Sequence, residues 1–184
     1  TFRPQGVSNV MWAFATLKIP PSQLLVERFC EQGERTSKDF QPQAVSNTMW
    51  AFATLAISPP KSLVQKLSLQ AARTSSNFKP QAVANTMWAF AALDIYPGPL
   101  LVSKLSAQVK RKSRDLSPLN MSITMWAFAT LRIDPDRMLV EQMSAQAEAN
   151  CLEFKPNEIA NMLWAFATLN IRPSPTLVER LSVH

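Results

Sequence analysis

The sequence predicts an all-α fold, a right-handed α-solenoid or superhelix of five stacked helical hairpins, and three observations predict it. One apolar octapeptide recurs as VMWAFATL from residue 10, TMWAFATL from 48, TMWAFAAL from 86, TMWAFATL from 124 and MLWAFATL from 162, so Trp12, Trp50, Trp88, Trp126 and Trp164 stand 38 residues apart. A fixed period of this length marks a tandem array. The composition agrees: 47% of the 184 residues are apolar, with only three glycines and one tyrosine, which suits helices better than sheets with tight hairpins. Prolines also return at two fixed places in each period, where helix starts tolerate them.

The period divides the chain into repeats of approximately 1–38, 39–76, 77–114, 115–152 and 153–184, one array whose last unit is truncated. With no initiating Met, targeting peptide or polar capping repeat, the sequence reads as a piece of a longer chain. In each unit the first helix (A) is expected to start at Pro4, Pro42, Pro80, Pro118 or Pro156. On its wheel Val45, Met49, Phe52 and Ala56 share a core face, with Ala53 beside them and Trp50 at the edge. Pro21, Pro59, Pro97, Pro135 and Pro173 then break the helix, and Ser58 and Asp134 are the expected N-caps of the second helix (B). In helix B, Leu63, Val64, Leu67 and Ala71 form the apolar stripe. One hairpin cannot bury both stripes, so neighbours must cover it. Ala13, Ala51, Ala89, Ala127 and Ala165 are small enough for close approach between units, and the tryptophans read first as packing between repeats and second as a base-stacking surface.

Much chemistry is excluded. No apolar run approaches the ~20 residues that cross a bilayer. Cys30 and Cys151 lie far apart at different repeat positions, which argues against a disulfide framework or a zinc site and for a reducing compartment. The single histidine is His184, and no Gly-rich phosphate loop exists, so neither a His-based triad nor nucleotide chemistry can be assembled. Asp134 and Asp136 read as a solvated loop. We expect no enzyme, no cofactor, no metal and no small-molecule substrate.

The segments NVMWAFA, NTMWAFA, NTMWAFA and NMLWAFA, with ITMWAFA as the departing fourth copy, together with the 38-residue period, resemble the octotricopeptide repeat family, relatives of the pentatricopeptide repeats. The likeness covers essentially the whole chain, although the Glu-Trp that often ends the family's proline-rich turn is missing here. The resemblance implies an α-solenoid of chloroplasts or mitochondria that binds RNA to control its processing, stability or translation.

Two surfaces could serve such a role. Opposite the helix A core lies a polar uncharged stripe of Gln43, Asn47, Ala51 and Thr54. Its equivalents are Gln5, Asn9 and Thr16, then Gln81 and Asn85, then Asn157, Asn161 and Thr168. An amide at i and i+4 could address the edge of one splayed base per repeat, or could instead hold the array together through backbone bonds. In the fourth unit Leu119 and Ile123 replace both amides, with Asn120 one position away. The near-uniform stripe predicts a run of like bases or weak discrimination, over at most ~5 nucleotides.

The second surface is basic, in keeping with a net charge of +6. Arg28, Lys66, Lys104 and Arg180 share one helix B position, and Arg35, Arg73 and Arg111 another two turns later, extended by Lys110, Lys112 and Arg114. They form a candidate phosphate track or a solvated outer face. Gln142 and Ala149 interrupt both rows in the fourth unit, beside Glu141, Glu148 and Glu153. The expected partner is single-stranded RNA. The alternative is a structural adaptor within a large organellar assembly such as a ribosome or a photosynthetic complex. RNA binding through both surfaces requires them to face one groove.

Overall fold

The computed structural model describes residues 3–182, so His184 lies outside the described residues. Ten α-helices run in order among them: α1 (Pro4–Leu17), α2 (Gln23–Arg35), α3 (Pro42–Thr54), α4 (Lys61–Arg73), α5 (Pro80–Ala92), α6 (Pro99–Arg111), α7 (Pro118–Thr130), α8 (Arg137–Ala149), α9 (Pro156–Thr168) and α10 (Pro175–Ser182). Odd-numbered helices are the A helices and even-numbered ones the B helices, and they stack as hairpins in a helical-repeat solenoid. A single 3₁₀ turn at Ser37–Asp39, Ser75–Asn77, Ser113–Asp115 and Cys151–Glu153 links each B helix to the next A helix.

Every A helix begins on its proline, where the missing N–H would have had no partner. Each then ends in a motif that the periodic pattern does not announce. Lys18, Ala56, Asp94, Arg132 and Asn170 all adopt left-handed φ of 53–56°. In the second unit Ile57 N–H donates to the Phe52 carbonyl at 3.0 Å and Ala56 N–H to Ala53 at 3.1 Å, the paired bonds of a Schellman cap. Ala56 is therefore exposed beyond the helix end and is not a core residue, contrary to the helical wheel, which assumed another turn. The expected caps of helix B also shift by two residues. Pro60, not Ser58, precedes α4, and Asp136, not Asp134, caps α8 by accepting from Leu139 N–H at 2.9 Å. In these two turns one further extended residue, Pro60 or Asp136, follows the proline at 59 or 135 before the helix starts.

The core is one continuous cluster. Val45, Met49 and Phe52 of α3 and Leu63, Val64, Leu67 and Ala71 of α4 are all buried, as are their counterparts in the middle units except Val102 and Val140, which are half-buried. Ala51, Ala89, Ala127 and Ala165 are fully buried where A helices meet, and the A helices pack on one another far more closely than the B helices do. A stack held tighter along one row than the other curves toward the tight row, so the A helices line the inside of the curve and the B helices its outside.

Candidate nucleic-acid interface

An A helix of a middle unit is covered by helix B, by the preceding unit and by the following unit, and is open on its fourth side. On α3 the Val45, Met49 and Phe52 face meets helix B, and the Thr48 and Ala51 face is buried against the preceding unit. The side opposite helix B stays open. It carries Gln43 and Thr54, both exposed, with Asn47 and Trp50 half-buried between them. Spacings of four, three and four residues put these four on one stripe of a 3.6-residue helix. Ala51 is thus not part of the polar stripe, and Trp50 takes its place. The indole was expected at the edge of the core; it packs against that core with part of its surface and shows the rest on the inner face.

The amide pairs are next to each other in space. Gln5 Nε2 donates to Asn9 Oδ1, and Gln43 Nε2 to Asn47 Oδ1, each at 2.8 Å. Gln81 and Asn157 are exposed, and Asn85 and Asn161 half-buried, at the same register. In these two bonded pairs each amide is satisfied by its neighbour and not by backbone, so each pair retains donors and acceptors for a ligand. The fourth unit departs as expected: Leu119 is 48% exposed and Ile123 half-buried in an otherwise amide row.

Tryptophan completes the stripe. Trp12 and Trp164 are each 46% exposed, Trp50, Trp88 and Trp126 are half-buried, and the Trp126 and Trp164 ring centroids stand 6.5 Å apart with planes inclined by 32°. At the N-terminal edge of the same face, Arg3 and Gln5 line one concavity with Asp39 and Gln41 of the next unit. Lys79 and Lys155 occupy the Arg3 position of their own units and are exposed.

The basic rows lie elsewhere. On α4 the buried face is Leu63, Leu67, Gln70 and Ala71, and Lys66 and Arg73 are exposed. Arg35, Lys38, Lys66 and Arg73 line an outer groove between α2 and α4, together with Glu34. Several of the cations are also engaged. Arg28 pairs with Glu31 and Lys66 with Glu34, both at 3.2 Å, and Arg111 donates to the Ser76 carbonyl and, through Nε, to Gln108 Oε1 at 3.0 Å. Arg180 Nη1 donates to the Glu148 carbonyl at 3.0 Å, Lys110 pairs with Asp136 at 2.7 Å and Lys112 with Asp115 at 3.2 Å. Lys104 and Arg114 are exposed. The basic rows therefore belong to the B helices and their linkers, and the amides to the A helices.

Sequence reasoning missed one structural tie. Gln70 Nε2 reaches back to the Phe40 carbonyl at 2.9 Å and Gln108 Nε2 to the Phe78 carbonyl at 2.6 Å, both buried, binding α4 and α6 each to the linker before its A helix. The glutamines at 32, 70, 108 and 146 recur with the array period and were visible as such.

Glu34 and Asp136 hold their protons less tightly than usual. A hydrogen bond from Ser62 and the Lys66 ammonium lower Glu34, and Lys110 and the Leu139 N–H lower Asp136. Burial, reinforced by Glu34 and Glu27, pushes the Cys30 thiol up to about 11, and both cysteines are free. No group of His, Cys, Asp and Glu among the described residues could hold a metal ion, and no helix among them is long and apolar enough to cross a membrane.

With this array of hairpins and its open amide and indole stripe in view, the sequence of residues 58–183 matches the family described as the Tbc2 translation factor, N-terminal domain. The chain belongs to that family. No curated protein matches the chain. The Tbc2 N-terminal domain match opens at the turn before α4 and takes in the open stripes of α5, α7 and α9, the unit with the amides replaced included.

Proposed function

We propose that this chain is an organellar RNA-binding helical-repeat protein that acts without catalysis, and that it binds single-stranded RNA along the inside of the curve. The observation that carries this reading is the open A-helix stripe, where paired amides, indoles and exposed cations at one edge meet on the side of the A helices that no other helix covers among the described residues of the middle units. Amides at i and i+4 offer both donors and acceptors to a base edge, and backbone phosphates would run past Arg3, Lys79 and Lys155. The family is named for a translation factor, which favours translation over processing or stability as the step served. The resemblance of the WAFA core to octotricopeptide repeats supports a chloroplast or a mitochondrion as the compartment.

The test is a titration with the four RNA homopolymers at two salt concentrations. Asn47→Ala with Asn85→Ala should flatten base preference while leaving the salt dependence unchanged. Neutralising Arg3, Lys79 and Lys155 should weaken all four polymers alike and reduce the slope of log K against log salt by roughly 0.7 for each phosphate left without its cation. Lys66→Ala with Arg73→Ala should do neither. Absence of binding at low salt overturns the reading.

One observation favours a second reading. The groove of Arg35, Lys38, Lys66 and Arg73 sets these four cations against the single carboxylate of Glu34 and is not part of the amide stripe, as an adaptor that docks an acidic protein surface in a large assembly would need. Retained partner binding in the amide variant, abolished in the Lys66→Ala/Arg73→Ala variant, would establish it.

A further inference from the structure

We infer that the tryptophans of the open stripe are a stacking platform for nucleobases, so that the octapeptide serves both array assembly and ligand binding. This rests on the reading of the inner face as an RNA surface and assigns the interaction that would hold bases there. Three features carry it.

The indoles keep surface that packing does not use: Trp50, Trp88 and Trp126 lean on the core yet stay partly exposed. In the octapeptide the contacts between units are made by fully buried Ala51, Ala89, Ala127 and Ala165, and the contact with helix B by Met49 and Phe52. Trp50 belongs to neither face: it sits between Asn47 and Thr54 on the open side. An indole kept partly in water in all five units, beside an amide in four of them, is the combination that single-strand binders use, the π-face supplying sequence-tolerant affinity and the amide the edge contact.

Spacing is the second feature. The Trp126 and Trp164 centroids lie 6.5 Å apart. Two rings that enclose a third flat ring at van der Waals contact need about 7 Å between them. This one pair lies in tilted aromatic contact, and rotation about the side-chain torsions that parts and levels the two indoles would let one base enter between them.

The third feature is the fourth unit. There both amides are replaced, by Leu119 and Ile123, yet Trp126 is kept at the same register. Stacking survives where edge reading is lost, so a strand would cross this unit in contact but unread.

The experiment uses the whole chain and follows intrinsic tryptophan fluorescence together with affinity. The ligands are oligo(A), oligo(U) and an abasic oligonucleotide of equal length that keeps the phosphates. Trp12 and Trp164 are the most exposed indoles, so Trp12→Leu/Trp164→Leu disturbs the fold least, and Trp12→Phe/Trp164→Phe keeps an aromatic face. Oligo(A) should quench the wild type and the abasic strand should not. The Leu pair should bind oligo(A) about tenfold or more weaker, and the Phe pair should recover most of that affinity. RNA bound by the wild type with no quenching, and equally well by the Leu pair, overturns the stacking assignment and leaves the amide reading standing. No RNA binding by the wild type removes both. The quenching comparison needs no variant, so it decides the matter even where a substituted chain folds poorly.

Discussion

At the scale of single residues, the left-handed corner of each hairpin is the least expected feature. Five different side chains occupy it, none of them glycine, at φ near 54°. An L-residue there bears a cost of roughly 1 kcal/mol that glycine avoids. Ala56→Gly should therefore raise stability by about 0.5–1 kcal/mol in urea denaturation, less whatever the freer unfolded chain takes back. This corner was illegible because its usual marker, a glycine, is missing, and without it the periodic pattern runs on to Ala56. The prolines at helix starts and the Val45, Met49 and Phe52 face were legible, because their cause is local. The thiol of Cys30 should stay unreactive toward alkylating reagents at neutral pH, since burial holds its pKa at about 11, and should react only when the chain unfolds.

Helices meet in two kinds of seam. In the A seam, alanine side chains allow close contact, and Ala51→Leu should cost about 1–3 kcal/mol by overpacking α3 against α1. Ala160→Leu on exposed α9 surface is the control and should stay within about 0.5 kcal/mol. In the B seam the tie is Gln70, and Gln70→Ala should cost about 1–3 kcal/mol by leaving the buried Phe40 carbonyl without its donor. Thermal unfolding of the three variants checks all of these. The sequence told which helices pair and which face each uses, since periodicity encodes both. It did not tell that Trp50 lies on the open side, because an indole at the margin of an apolar stripe fits burial or exposure equally until the neighbouring helix is placed. Nor did it tell that basic side chains would be drawn into pairs such as Lys66 with Glu34 and Lys110 with Asp136, which depends on how successive B helices are placed and not on either wheel.

For the whole molecule, charge links successive units along the outside. Glu34 joins α2 to Ser62 and Lys66 of α4, and Asp136 joins the start of α8 to Lys110 of α6. Both carboxyls are more acidic folded than unfolded, so their contribution is complete at pH above their ordinary values of 4.5 and 3.8 and disappears as pH falls through the lower folded values. Acid titration of stability should show this decline, and Glu34→Gln should flatten the part that belongs to Glu34. The effect should be small and weaken in salt, because both pairs are solvent-exposed.

The difference between the two seams has a mechanical consequence. Bending stiffness is unequally shared: the alanine-lined row is nearly incompressible, and the outer row has open grooves bridged by a few polar links. The coil should therefore flex as a leaf spring does, opening or closing at its back while the spacing of side chains along its inner surface barely alters. Whatever strand lies there meets a ruler of constant pitch, however the coil breathes.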